Sequence, residues 1–176
     1  MTGILKINNN EVFGSDGTFS GTIGSGATFP TGMVIKEQAF DEVAYIAGTT
    51  NTYSSGNTVS FTKLKSSSDS YIIYTWNGYV SKFTNTGSYI DWRMAYTPSG
   101  GSQAFTAVRN FDHNNNDPSG SFIHFPMCIQ YYINTLNAGT HTFIMQAKWG
   151  GPSGQNNNSQ LQTDTEQYIF IKEVSK

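Results

Sequence analysis

Charge is scarce in this chain of 176 residues: 10 basic and 12 acidic side chains make up 12% of it, about half the share of an ordinary soluble domain. The formal net charge is −2, and no run of Lys or Arg interrupts the pattern. The basic surface that dominates affinity for DNA or RNA is therefore missing, and nucleic acid is excluded as a partner. Cysteine is nearly absent. The single Cys128 excludes an internal disulfide and a cysteine-based zinc cage. No apolar run approaches the roughly 18–20 residues that a membrane span requires, so no membrane insertion is expected. The opening Met1-Thr2-Gly3-Ile4-Leu5-Lys6 lacks the apolar core of a secretory signal, so the chain is expected to be soluble and made without one.

What fills the sequence instead is neutral and polar: Ser, Thr, Asn and Gly make up roughly two-fifths of it. The first 32 residues differ from the rest. Gly14, Gly17, Gly21, Gly24, Gly26 and Gly32 alternate with isolated Phe13, Phe19, Ile23 and Phe29, and a short unit recurs as Gly17-Thr18-Phe19, Gly21-Thr22-Ile23 and Ala27-Thr28-Phe29. The backbone entropy of ordering some thirty residues exceeds what these few large side chains return on burial. Residues 1–32 are thus expected to be an extended arm, ordered only by sharing Ile4, Leu5, Ile7, Phe13, Phe19, Ile23 and Phe29 with neighbouring copies or a larger scaffold. The alternative is a free linker, which glycine and serine also favour.

From residue 33 the pattern changes to strands. Segments rich in Tyr, Phe, Ile, Val, Thr and Trp at 33–46, 58–65, 70–83, 89–97, 104–111, 121–134, 140–149 and 167–173 are separated by turn-forming clusters. Period-two stripes are clearest in four sets: Ile72, Tyr74, Trp76, Val80; Ile90, Trp92, Met94, Tyr96; Ile123, Phe125, Met127, Ile129, Tyr131; and Phe143, Met145, Ala147, Trp149. Eight strands without an intervening helix predict an all-β fold, an antiparallel β-sandwich of the jelly-roll kind spanning 33–176. Residues 36–47 fit either a strand with a bulge or a short helix, since Lys36-Glu37-Gln38-Ala39 are helix formers.

Catalysis is not expected. No Gly-x-Ser-x-Gly elbow is present. Cys128 lies mid-strand between Met127 and Ile129, where a small thiol is expected to pack rather than react. The acids are scattered, as Asp41 with Glu42, Asp91 opposite in phase to Trp92, Asp112 with Asp117, and Asp164 with Glu166; nothing marks a pair for glycoside cleavage. Asp112-His113-Asn114-Asn115-Asn116-Asp117 places oxygen donors at alternate positions, but Asp117 and Ile123 stand where a calcium loop needs Gly and Glu. A long Asn/Asp turn ending at Pro118-Ser119-Gly120 explains it without an ion. If Asn137-Ala138 centres a hairpin, His141 pairs near Ile133, far from His124, and the two make no metal site. No metal or cofactor is expected. Binding fits better: aromatics beside amides and hydroxyls suit carbohydrate. The candidates are Tyr53, Phe111 with Asp112 and His113, Trp149 beside Gly150-Gly151-Pro152, and the loop residues Asn114, Asn116, Asp117, Asn156 and Asn157.

Met1-Thr2-Gly3-Ile4-Leu5-Lys6-Ile7, the Gly-rich arm, and Ala27-Thr28-Phe29-Pro30-Thr31-Gly32-Met33-Val34-Ile35 resemble the N-terminal part of small virion proteins of tailed phages, marine and cyanobacterial ones above all. Ser66-Ser67-Ser68-Asp69-Ser70-Tyr71-Ile72-Ile73, the stretch 137–148 and Tyr168-Ile169-Phe170-Ile171-Lys172-Glu173-Val174 are similar to the serine-rich turn and closing strands of their heads. The resemblance implies a homotrimer whose arm attaches to capsid or tail proteins and whose jelly-roll head faces the host surface and its glycans. The expected location is the surface of a virion assembled in the host cytoplasm. A tail fibre and a capsid decoration protein both fit, and a free carbohydrate-binding module or lectin is the alternative from another class.

Overall fold

The computed structural model describes residues 5–7, 10–13, 28–41, 46, 52–83, 89–112, 122–150 and 167–176, none of them helical. The strands are β1 (Leu5–Ile7), β2 (Asn10–Phe13), β3 (Val34–Asp41), β4 (Ser54–Lys63), β5 (Ser70–Phe83), β6 (Tyr89–Thr97), β7 (Ala104–Phe105), β8 (Arg109–Asp112), β9 (Phe122–Ile133), β10 (Gly139–Gly150) and β11 (Tyr168–Ser175). β1 and β2 pair with each other, while the rest form two antiparallel sheets, β3-β11-β5-β9 and β4-β10-β6-β7, with β8 also paired to β6.

The order is that of a jelly roll. β3 pairs β11, β4 pairs β10, β5 pairs β9 and β6 pairs β8, a nested set equivalent to one long hairpin. Its successive segments pass to opposite sheets, and β11–β5 and β10–β6 pairing joins the coils. The chain crosses between sheets because each strand has one apolar face, and both faces must meet across a single core.

The expected stripes supply that core. Ile72, Tyr74 and Trp76 of β5, Ile90, Trp92 and Met94 of β6, Phe143, Met145 and Ala147 of β10, and Ile129 and Tyr131 of β9 are all buried. Trp76 and Trp92 meet across the sheets at 5.3 Å between ring centroids. Gly78 is required beside them, since a Cβ there would lie 2.6 Å from the Trp76 ring. The segment with helical tendencies is strand β3 through Asp41, with a register shift opposite Glu173 and Val174, as the bulged-strand alternative expects.

Four expectations need correction. The 104–111 strand is two short ones, because Thr106 turns its hydroxyl and amide onto Met94. The 33–46 strand ends at Asp41, and Ile46 enters the core outside any strand. No hairpin forms at Asn137-Ala138: β9 and β10 lie in different sheets, and His141 pairs with Phe61. Cys128 does not pack; its place on β9, between inward Met127 and Ile129, puts the thiol on the exposed outer face. Short-range pattern also gave no sign of the β1–β2 pair.

Candidate functional site

At one end of the sandwich the entry to the head is tied to its last strand. Gly32 N–H donates to the Ser175 carbonyl (2.9 Å), Ser175 N–H donates to the Met33 carbonyl (3.0 Å), and the Ser175 hydroxyl bridges Met33 N–H and the Pro30 carbonyl. The Phe29 ring lies under Lys65 of the same chain, 5.1 Å from Nζ. Of the other arm candidates, Leu5, Ile7 and Phe13 have backbone positions in β1 and β2. Ile4, Phe19 and Ile23 fall outside the described residues.

Beneath this tie is a buried ion pair that sequence reading missed. The phase of β4 turns Lys63 inward after Val59 and Phe61, and the phase of β11 does the same for Glu173; both side chains are fully buried. Lys63 Nζ donates to the carbonyls of Lys65 (2.6 Å) and Ser66 (2.9 Å) and to Ser70 Oγ (2.5 Å), and stands 3.7 Å from Glu173 Oε1. The Glu173 carboxylate accepts from Leu64 N–H (2.7 Å), Lys65 N–H (2.8 Å) and the Ser70 hydroxyl (2.7 Å). Burial holds Lys63 below the ordinary lysine range, with Glu173 opposing the shift. The neighbouring loops are braced as well. His141 Nε2 meets the Asn137 carbonyl (2.8 Å) and its Nδ1 accepts from Ser99 N–H (3.0 Å), which occupies both ring nitrogens.

The connections at the opposite end are different in character. Residues 42–53, 84–88, 113–121 and 151–167 join strand ends there, and they carry four carboxylates and no Lys or Arg. Asp112 and Trp149 come together in register on either side of β6, opposite Tyr89 and Ile90 respectively. His113, Asn114, Asn116, Asp117, Asn156 and Asn157 lie outside the described residues.

Between these ends the outer face of the β4-β10-β6-β7 sheet bears a ladder of polar side chains around Arg93, one of only two arginines. Ser55, Gln146 and Arg93 are register partners on three adjacent strands. Arg93 Nε donates to Gln146 Oε1 (2.8 Å), and Gln146 Nε2 donates to Ser55 Oγ (2.9 Å). The guanidinium carbon is 3.7 Å from the Tyr53 ring centroid and 3.9 Å from that of Phe105. Lys148 Nζ lies 5.1 Å from Tyr53 and pairs with Asp91 at 3.4 Å; Asn110 Nδ2 donates to the other oxygen of Asp91 (2.9 Å). Of the predicted carbohydrate candidates, the structure thus brings Tyr53 into a defined polar cluster. The signal for Arg93 was its place: a rare cation at the outward phase of β6 between buried Trp92 and Met94.

Along one side, where β7 and β8 face β9, the sandwich leaves hollows of about 260 Å³, lined among others by Phe105, Arg109 and Tyr132, and about 500 Å³, lined among others by Asn110, Met127 and Gln130. The outer face of the other sheet carries Tyr71 and Tyr132 at 6.4 Å and Tyr168 and Phe170 at 6.3 Å. Among the described residues no cluster of three or more His, Cys, Asp or Glu could hold a metal ion.

The sequence matches no protein-family model and no curated protein. Among solved structures, the chain is similar to those titled as the Gx strain of infectious bursal disease virus and as the VP2 subviral particle of that virus, each at 8% identity and TM-score 0.41, covering 80% of this chain and 38% of the other. The Gt strain structure of the same virus follows at 11% identity and TM-score 0.37, with 81% and 34% covered. The chain therefore spans little more than a third of those proteins. At that distance the likeness has no bearing on function.

Proposed function

We propose that this chain is a structural protein of a virion, a homotrimeric fibre or spike component whose arm joins capsid or tail proteins and whose jelly-roll head attaches to the host surface. The observation that carries the reading is the polarity of the head. The arm enters beside the C-terminus at an end locked by the Lys63–Glu173 pair and Ser175, which suits anchorage. The long connections, free of Lys and Arg, all leave from the other end, which suits presentation. The sequence resemblance points the same way, and the chain acts by binding rather than by catalysis.

Two measurements on the full chain test this. A trimer has three times the 19.3 kDa chain mass in solution, whereas a monomer favours the free lectin. Purified chain added to particles and to host cells separates the remaining roles: a fibre tip binds cells, a decoration protein binds capsids and ignores cells, and binding to neither refutes a virion role.

A further inference from the structure

We propose that the outer face of the β4-β10-β6-β7 sheet carries a carboxylate-binding site centred on Arg93, and that its ligand is an acidic sugar of a surface polysaccharide. The biological setting rests on the attachment reading above; the site itself rests on the geometry of Arg93.

A guanidinium has two faces and two hydrogen-bonding edges. Two aromatic rings hold the Arg93 guanidinium, at 3.7 Å to Tyr53 and 3.9 Å to Phe105, and Nε is held by Gln146, itself fixed by Ser55. The edge formed by the two Nη atoms has no acceptor among the described residues. The one acid on the same face of β6, Asp91, is engaged by Lys148 and Asn110. Arg93 is thus an oriented fork with an open end. Such a fork matches a carboxylate bidentately, and because the side chain is already immobilised, a ligand does not bear the cost of ordering it. Lys148, close to the same Tyr53 ring, offsets the charge of Asp91 and leaves the cluster with the single positive charge of Arg93.

The surroundings select the class of acid. Phe105 is 48% exposed, and the exposed residues Ser55 and Asn110 border the same cluster on β4 and β8, bonded to Gln146 and Asp91. A half-open ring in a cluster bordered by small polar side chains complements a pyranose, which presents C–H faces and hydroxyls. Among the described residues, the hollows beside β9 are not lined by Arg93.

The test is calorimetric titration of the full-length chain with trigalacturonic acid, with maltotriose as neutral control and hexaglutamate as acidic peptide control. Saturable binding of the acidic trisaccharide is expected, with none of maltotriose. Arg93→Lys keeps the charge but loses the fork and the stacking, and weakens binding about tenfold or more, while Arg109→Lys leaves it unchanged. Thermal melts of both variants run alongside; a folded Arg93→Lys chain that binds like wild type overturns the site. Absence of trisaccharide binding overturns it as well, and hexaglutamate binding as tightly overturns the sugar assignment. If the trisaccharide binds through Arg93 while the protein ignores host cells, the attachment reading falls and this site stands.

Discussion

Removing Glu173 tests whether its buried carboxylate holds the arm end of the head together. In Glu173→Ala the Lys63 ammonium loses its countercharge, and Leu64 N–H, Lys65 N–H and the Ser70 hydroxyl lose their acceptor. Breaking a buried pair from one side costs about 3–5 kcal/mol, a large part of the total stability of an ordinary domain. Lys63→Met is milder, about 1–3 kcal/mol, because the carboxylate keeps its three donors. Since each single change strands the other's partner, the double variant should cost at least about 1.5 kcal/mol less than the sum. The pH dependence has a definite sign. Lys63 already sits below 10.5 in the folded chain, from burial, with Glu173 raising it; without Glu173 it falls further. Between that folded value and 10.5 the unfolded chain binds more protons, so the stability of Glu173→Ala rises as pH rises through that window. Urea titrations followed by tryptophan fluorescence at pH 7 and pH 9.5 read both effects. Additivity of the two substitutions within about 0.5 kcal/mol, or a Glu173→Ala chain less stable relative to wild type at the higher pH, refutes the reasoning.

Gly78→Ala drives a methyl into the Trp76 ring and Gln167, at 2.6 and 2.8 Å, and should cost about 1–3 kcal/mol, read as a lowered melting temperature; no change would mean that the Trp76–Trp92 stack yields easily. Burial raises the Tyr131 hydroxyl to about 12, against weaker opposite pulls from Thr106 and Arg109. The folded state therefore holds that proton more tightly, and the stabilisation present below about pH 10 is lost as pH climbs towards 12; Tyr131→Phe should flatten this alkaline decline in denaturation curves. Deleting residues 1–27, which spares the Ser175 tie, should leave the melting temperature of the head within a few degrees of its value while reducing the solution mass from three chains to one. A truncated chain that stays trimeric places the subunit contacts in the head.

The strands of this fold were legible because each carries its own alternation. Residues 70–83 and 89–97 have the same bounds in sequence and structure, and their apolar phases are the core. Long-range partnership was not legible. Asn137-Ala138 looks like a hairpin centre locally, yet β9 and β10 part there to opposite sheets, since pairing is decided by the nested order of the whole chain. The Lys63–Glu173 pair escaped notice for the same reason: phase alone places both inward, but charge argues against burial until the partner 110 residues away is known to be opposite. Arg93 was hidden by the habit of reading outward positions as solvent-facing filler. Its significance comes from Tyr53, just before β4, and Phe105 of β7, which the fold brings to it from distant parts of the chain.

On the proposed function, the two sheets would divide the work according to where the chain enters the head. A load on the arm reaches the head at residues 30–33 and passes through the Ser175 hydrogen bonds to β11. That strand is paired on both sides, with β3 and β5. The buried Glu173, two residues before Ser175, fixes the same strand to the β4–β5 turn. The Arg93 cluster lies on the other sheet, outside this path and across the Trp76–Trp92 core. On the proposed function, anchorage and recognition therefore use different sheets, and because a densely packed core transmits strain, the Trp76–Trp92 contact is where the two would be coupled.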